Sequence, residues 1–333
     1  MKACLTAIAL QLVIASAIFG QVDENYHRSL LLMGCRFDLT VVARGQTEAE
    51  GYLDLAVGEI SRIERLISSW DSLSQTSAIN RAAGLAPVMV DQELYDLIER
   101  SVGISRLTDG AFDVTYASVD RLWHFDGSMT SMPDSAEVRA SVGRIGYAKI
   151  RFDPVTHSVY LPEVGMKIGF GAIGKGYAAD RARAVLEGAG VTAGIINASG
   201  DLTAWGKQAD GSDWLVAITN PLNKAKAFAW LPVNDRAVVT SVDYEKFVSF
   251  AGVRYAHIID PRTGYPATGI VSATVFAPRA ELADALATSV FVMGTDTAID
   301  FVNQLPGVDV IIVDAHNRVR TSSGINLQNP QDD

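Results

Sequence analysis

Apolar positions along the chain fall into runs of two periods, and each change of period marks where an element starts or stops. Leu30 to Val42 reads as strand, its second half alternating apolar and polar as a half-buried sheet requires. Thr47 and Glu50 form a capping box. Leu53, Ala56, Val57, Ile60, Ile63 and Ile67 then recur at helical spacing to about Trp70. Asp71 to Gly84 is a polar, Ser-rich connection. A second amphipathic helix from about Asp91 carries Leu94, Leu97, Ile98 and Val102 and stops near Thr108-Asp109-Gly110, where glycine suits a C-terminal cap. Asp134 with Glu137 caps a short helix, and Lys149 to Leu161 reads as a hairpin. A glycine-rich segment, Ile168 to Gly176, leads into a helix ending near Gly188.

From Ala193 to Phe276 the pattern becomes short β runs broken by Gly, Asn, Asp and Pro turns, as in antiparallel sheet. Arg279 to Met293 is a helix, followed by another short helix and a closing strand, Val308 to Val313. Strands and helices mix without a regular βαβ beat, so the expected fold class is α+β. No internal repeat, low-complexity tract or linker interrupts the chain. One intimately packed unit of two lobes is expected over residues 21–333.

The N-terminus stands apart. Lys2, then an apolar run from Leu5 to Ala15, then small residues to Gly20 make a signal peptide over residues 1–20. A membrane anchor needs about 20 apolar residues, and Gln21 to Asn25 turn polar too soon. No Cys stands at the cleavage point, so no lipid anchor is expected. The expectation is export, periplasmic in a bacterium. Cys4 would leave with the leader, so Cys35 has no internal disulfide partner; a buried inert thiol is expected there.

The 333 residues are 48% hydrophobic and 20% charged, ample for a large core, and carry a formal charge of −10. Lysine and arginine are scattered. This composition lacks the basic footprint of a nucleic-acid binder and the polybasic stretch that holds a protein on anionic lipid. Any phosphate must be met locally, by backbone amides, a lysine or a metal ion.

Three segments offer such chemistry, each with a plainer alternative. Ile168 to Tyr177 places four glycines in eight residues before a helix, so its amides and Lys175 could hold a phosphate. It is neither a Walker loop nor a dinucleotide fingerprint in its usual frame, and glycine for tight packing is the other reading. Asp284 and Thr288, four apart on a helix, present a carboxylate and a hydroxyl on one face. These are hard oxygen ligands suited to Mg²⁺; a helix-dipole charge and a back-bonded hydroxyl are the alternative. His257 leads into Asp260-Pro261-Arg262-Thr263-Gly264, a tight turn; it reads as a general acid/base or as a structural hydrogen-bonder. Asn197 to Asp201 reads as a polar turn, and Trp70 and Tyr177 as stacking or core aromatics.

Their order along the chain carries more than any one of them. Met33-Gly34, Ser69-Trp70-Asp71 to Ile79-Asn80, Thr108 to Asp113, Gly171 to Ala178 and Asn197 to Asp201 come first. Thr240-Ser241, Tyr244-Glu245, His257 to Pro266 and Ala283 to Thr288 complete the series. Together these resemble the ApbE family, the FAD:protein FMN transferases, across nearly the whole mature chain. The resemblance implies a T-fold-like mixed sheet with packed helices. It implies FAD as substrate, Mg²⁺ as cofactor, and FMN joined by a phosphoester to a Thr or Ser of an exported redox protein, such as a quinone-reductase-type subunit, with AMP released. Carried over, Met33, Trp70, Thr108, Asp109, Gly110, Lys175, Ile258 and Ala287 would line the FAD site. Asp284, Thr288 and the carbonyl of Ala172 would hold the metal, amides of Gly171 to Gly176 would hold the phosphates, and Asp284 and His257 would be catalytic. Departures are Gly169 where many members carry Asp, Ser199 in the usual Gly-Gly-Asp turn, and Ala78 where a Glu commonly follows Ser77. A secreted FAD pyrophosphatase would use much the same residues; a non-catalytic FAD carrier is the other alternative, and Asp284, Thr288 and Lys175 argue against it because simple capture needs no metal.

Overall fold

In the computed structural model, which describes residues 23–119, 122–220, 223–244, 247–250 and 252–326, the run read as one strand from Leu30 is a hairpin. Strands β1 (Glu24–Leu32) and β2 (Cys35–Ala43) pair antiparallel, with Leu32 opposite Cys35. Met33 and Gly34 between them have φ of 51° and 72°, the left-handed pair a tight two-residue hairpin turn needs. The apolar run crosses that turn unbroken, which hid it. The leader, Cys4 and Glu245 of the Tyr244-Glu245 pair lie outside the described residues.

Helix α1 (Gln46–Ile67) follows, and the capping box is corrected here. Its N-cap is Gly45, with no side-chain cap; Glu48 reaches back to the Arg44 N–H at 2.9 Å, while Glu50 pairs with Arg28. The polar connection contains a further short helix, α2 (Gln75–Arg81), started by Ser74, whose hydroxyl accepts the Ser77 N–H at 3.0 Å. Strand β3 (Val88–Met89) and helix α3 (Gln92–Leu107) come next, then α4 (Ser135–Val142), which Asp134 does cap through the Ala136 and Glu137 amides. The expected hairpin is β4 (Arg151–Asp153) with β5 (Ser158–Tyr160).

After α5 (Gly174–Gly188) come β6 (Gly194–Ala198), β7 (Asp201–Trp205), β8 (Trp214–Asn220), β9 (Asn223–Val233), β10 (Arg236–Val242), β11 (Phe247–Phe250), β12 (Val253–Ala256) and β13 (Ile270–Ala277). Helices α6 (Ala280–Met293) and α7 (Thr295–Val302) precede β14 (Asp309–Asp314) and β15 (Val319–Thr321), so the strand expected to close the chain has one more beyond it. Eight strands form one antiparallel sheet in the order β1-β2-β6-β7-β10-β13-β14-β15. The α+β class is what the fold shows.

That sheet is covered on both faces. Phe37, Leu39, Val41, Ile196, Val239 and Val275 point to one side, where α1, α5 and α6 pack. Leu202, Ala204, Val238, Phe276 and Ile311 point to the other and are covered by Trp214, Ile218 and Val233 of the β8–β9 ribbon. Each fully buried Leu or Ile contributes about 2 kcal/mol by leaving water. The seam between α5 and α6 is different: Gly176 lets the α5 backbone come close to Ala280 of α6.

Candidate active site

The chemistry gathers at that seam. A Cβ added at Gly176 would fall 2.1 Å from the Ala280 carbonyl oxygen and 2.9 Å from Asp284 Cβ; one at Gly171 would fall 2.4 Å from the Tyr116 hydroxyl. Most amides of this segment are already committed. Gly171 donates to the Tyr116 hydroxyl at 3.2 Å, Ile173 and Gly174 donate to the Phe170 carbonyl, and Gly176 donates to Asp284 Oδ2 at 3.1 Å. Four of the six amides from Gly171 to Gly176, the segment expected to cradle the phosphates, thus already bond within the protein, and Gly176 serves close packing. Asn80 fixes the entry to the segment by a reciprocal pair with Ile168, Nδ2 to O at 2.9 Å and N to Oδ1 at 2.8 Å.

Asp284 is only 5% exposed and Asp201, at the start of β7, 2%. Ser199 and Gly200, with φ of 53° and 102°, make the tight β6–β7 turn that delivers Asp201, and Asn197 Oδ1 accepts the Gly200 N–H at 2.8 Å. Lys175 Nζ, from the first turn of α5, is ion-paired with Asp201. Burial alone would depress that ammonium, but the charges of Asp201 and Asp284 hold it above its ordinary range. Burial, then the charge of Asp201, push the Asp284 carboxyl up to about 7, against the pull of Lys175 and the Gly176 N–H. Two buried carboxylates and one ammonium leave a buried excess of negative charge, which a divalent cation relieves. Asp284 and Thr288 offer oxygen donors of the kind Mg²⁺ takes, so the residues fit that ion.

Two cavities meet at this cluster. One, of about 480 Å³, is lined by Lys175, Asn197, Asp201, Thr240, His257, Ile258, Asp284 and Thr288 among others. The other, of about 890 Å³, is lined by Met33, Trp70, Asn80, Tyr116, Phe170 and further residues. Gly171 and Lys175 belong to both linings. Trp70 stands 79% exposed at the second cavity. His257 meets Phe125 edge-on, with ring centroids 6.4 Å apart.

Other candidates are not among the residues that line the two cavities. Thr108, Asp109 and Gly110 line neither cavity: Thr108 Oγ1 donates to the Ile104 carbonyl and accepts the Phe112 N–H, and Asp109 and Gly110 take positive φ to end α3. Ala287 is fully buried within α6 and Ala172 is half-buried in the segment before α5; neither is among the linings. Sequence reasoning missed Tyr116, which is 55 residues from its partner Gly171, and treated Asp201 as a turn residue.

It missed Asp180 as well. This α5 carboxylate accepts the Ala280 and Glu281 amides, both at 2.9 Å, and so caps α6, whose own N-cap Arg279 makes no side-chain cap. Burial pushes Asp180 up to about 6 despite those two bonds. The folded chain therefore holds a proton there that the unfolded chain releases near pH 4. Stability from this group rises as pH falls from above 6 toward 4, because the folded state binds more protons across that window. Urea unfolding of wild type and Asp180→Asn at pH 7 and 5 checks it: the variant is expected to lose this part of the pH dependence.

The sequence profile of the ApbE family matches residues 33–312. An FAD:protein FMN transferase from Treponema pallidum (strain Nichols) is 32% identical over 318 residues, covering 91% of this chain and 88% of its own length. One from Klebsiella pneumoniae (strain 342) is 31% identical over 303 residues, covering 90% and 93%. The crystal structure of the ApbE protein from Thermotoga maritima MSB8 superposes with a TM-score of 0.83 at 32% identity, covering 90% of this chain and 98% of that one. The flavin transferase ApbE from Vibrio cholerae has the same fold, with a TM-score of 0.81 at 24% identity and coverage of 90% and 98%.

Proposed function

The chain belongs to the ApbE family, and from that premise we propose that it is a Mg²⁺-dependent FAD:protein FMN transferase acting on a Thr or Ser of an exported redox protein. The observation that carries this reading is the meeting of two cavities at Lys175, beside buried Asp284 and Asp201. An acidic protein that must hold a diphosphate needs positive charge at one spot, and this is where the chain places an ammonium and a cation-seeking oxygen set.

Asp284 and Thr288, with the Ala172 carbonyl, would hold Mg²⁺, which when bound stabilises charge developing on the diphosphate oxygens. Lys175, kept protonated by its acidic neighbours, neutralises a phosphate oxygen at the junction. The acceptor hydroxyl oxygen forms a bond to the FMN-side phosphorus while the bond from that phosphorus to the AMP oxygen breaks. AMP leaves with that electron pair, and His257 in the same cavity takes the hydroxyl proton.

The leader at residues 1–20 is part of the same reading and sends the chain to the periplasm, where quinone-reductase-type subunits are the acceptors. Among the described residues, no helix is long and apolar enough to cross a membrane. The test is mass spectrometry of a Thr-containing acceptor incubated with FAD, Mg²⁺ and chain recovered from a periplasmic extract without residues 1–20. Covalent FMN on the acceptor with release of AMP is expected. Free FMN and AMP alone would assign a pyrophosphatase, and intact FAD a carrier.

A further inference from the structure

The cavity that holds His257 and Asp284 does not stop at the reactive cluster. Besides Lys175, Asp284 and Thr288 of the two helices, its lining includes Ser199 and Gly200 of the β6–β7 turn. The same cavity is also lined by Ile195, Leu202 and Val238 of the sheet and by Leu215 to Ala217 of the β8–β9 ribbon. Successive side chains of a strand point to opposite faces. Trp214 and Ile218 are buried against the sheet, whereas Leu215 is 56% exposed. Across the ribbon Leu215 pairs with Pro232 and Ala217 with Trp230, which is 63% exposed. The ribbon thus turns a patch of four apolar residues to solvent, and two of them, Leu215 and Ala217, also line the cavity that ends at the buried carboxylates.

The other cavity, with Met33, Trp70, Tyr116 and Phe170, has its own lining apart from the shared Gly171 and Lys175. Displacement at phosphorus sets nucleophile and leaving group roughly in line on opposite sides. Two reactants therefore need two approaches, and the aromatic-lined cavity suits a ring system better than a peptide. We propose that the outer face of the β8–β9 ribbon is the docking surface for the acceptor polypeptide. The acceptor lies across Leu215, Ala217, Trp230 and Pro232 as an extended segment. Its Thr or Ser enters the cavity toward His257, and apolar side chains two residues before and after rest on the ribbon. This rests on the transferase reading above. The formal charge of −10 sets an anionic membrane against this face as occupant, and continuity with the cavity favours a reactant over a second copy of the chain.

The experiment uses two synthetic peptides with one central Thr in a Gly/Gln background, bearing either Leu or Asp two positions to each side. FAD consumption, AMP release and peptide flavinylation are followed for wild type, Trp230→Ser and Trp230→Phe. Trp230 is exposed, so its replacement takes nothing from the core. Wild type is expected to flavinylate the Leu peptide with a KM about tenfold below that for the Asp peptide. Trp230→Ser raises the KM for the Leu peptide about tenfold, Trp230→Phe restores it, and kcat and the KM for FAD stay within about twofold. The docking proposal is overturned if both peptides react alike, if Trp230→Ser changes nothing, or if FAD is cleaved and neither peptide is labelled. It is equally overturned if Trp230→Ser dissolves a dimer seen by sedimentation, or releases the chain from phospholipid vesicles. If FAD is not consumed at all, the transferase reading fails, and the docking proposal with it.

Discussion

Asp284→Asn is expected to lose about a thousandfold in kcat for FMN transfer at saturating Mg²⁺, which corresponds to about 4 kcal/mol of transition-state stabilisation. The substitution keeps the size of the side chain and an oxygen for the Gly176 N–H, so the α5–α6 seam stays closed. What it removes is charge. Without Asp284, Lys175 and Asp201 form a balanced pair, and the cluster has no excess charge with which to hold a divalent cation. Stability should move the other way. Burial makes the ionised Asp284 costly, as its raised titration shows, so the neutral amide is expected to melt no lower than wild type. Activity within tenfold of wild type would remove Asp284 from the centre of the site. A collapse in melting temperature would make its role structural.

Gly176→Ala is expected to destabilise the fold by about 3 kcal/mol. The new methyl would sit 2.1 Å from a backbone oxygen and 2.9 Å from Asp284 Cβ. A backbone oxygen cannot rotate aside, so α5 and α6 must separate. That separation lengthens the Gly176 N–H contact to Asp284, so transfer activity falls with stability. Gly188→Ala is the control: it sits at the end of the same helix with nothing within 4 Å of its added Cβ. It is expected to be neutral, or stabilising by up to about 1 kcal/mol, through helix propensity and the unfolded state. Urea unfolding of the pair checks both signs, and equal stability of the two variants would contradict the close-approach argument.

Periodicity made α1 and α3 legible because each buries a continuous apolar stripe, whereas α5 was legible from its glycine-rich start and α6, buried on most sides, from its apolar length. It failed where a backbone angle rather than a side chain decides the structure, as at the left-handed Met33–Gly34 turn inside an apolar run. It also failed for α2, a helix of seven residues started by a Ser74 cap and too short to show a period. The Thr47–Glu50 capping box did not form because Gly45 begins the helix, and Glu50 serves an ion pair with Arg28 instead.

The site divides in a similar way. Asp284 and Thr288 were legible because four-residue spacing on a helix is local, and Lys175 because a glycine-rich helix start is local. Asp201, Tyr116 and Asp180 were not, since each acquires its role from a partner 26 to 100 residues away. The glycine segment shows the limit most plainly. Its composition fits a phosphate cradle and a packing seam equally, and only the placed atoms show that Gly176 faces Ala280 and Asp284.

A crystal structure of the chain with FAD and Mg²⁺ bound measures the arrangement directly. The diphosphate is expected at Lys175, with the cation on Asp284 and Thr288, one end of FAD in the cavity lined by Met33, Trp70 and Tyr116, and the ribbon-side cavity open to solvent. Electron density placing the diphosphate away from Lys175 and Asp284, or FAD filling the ribbon-side cavity, would contradict it.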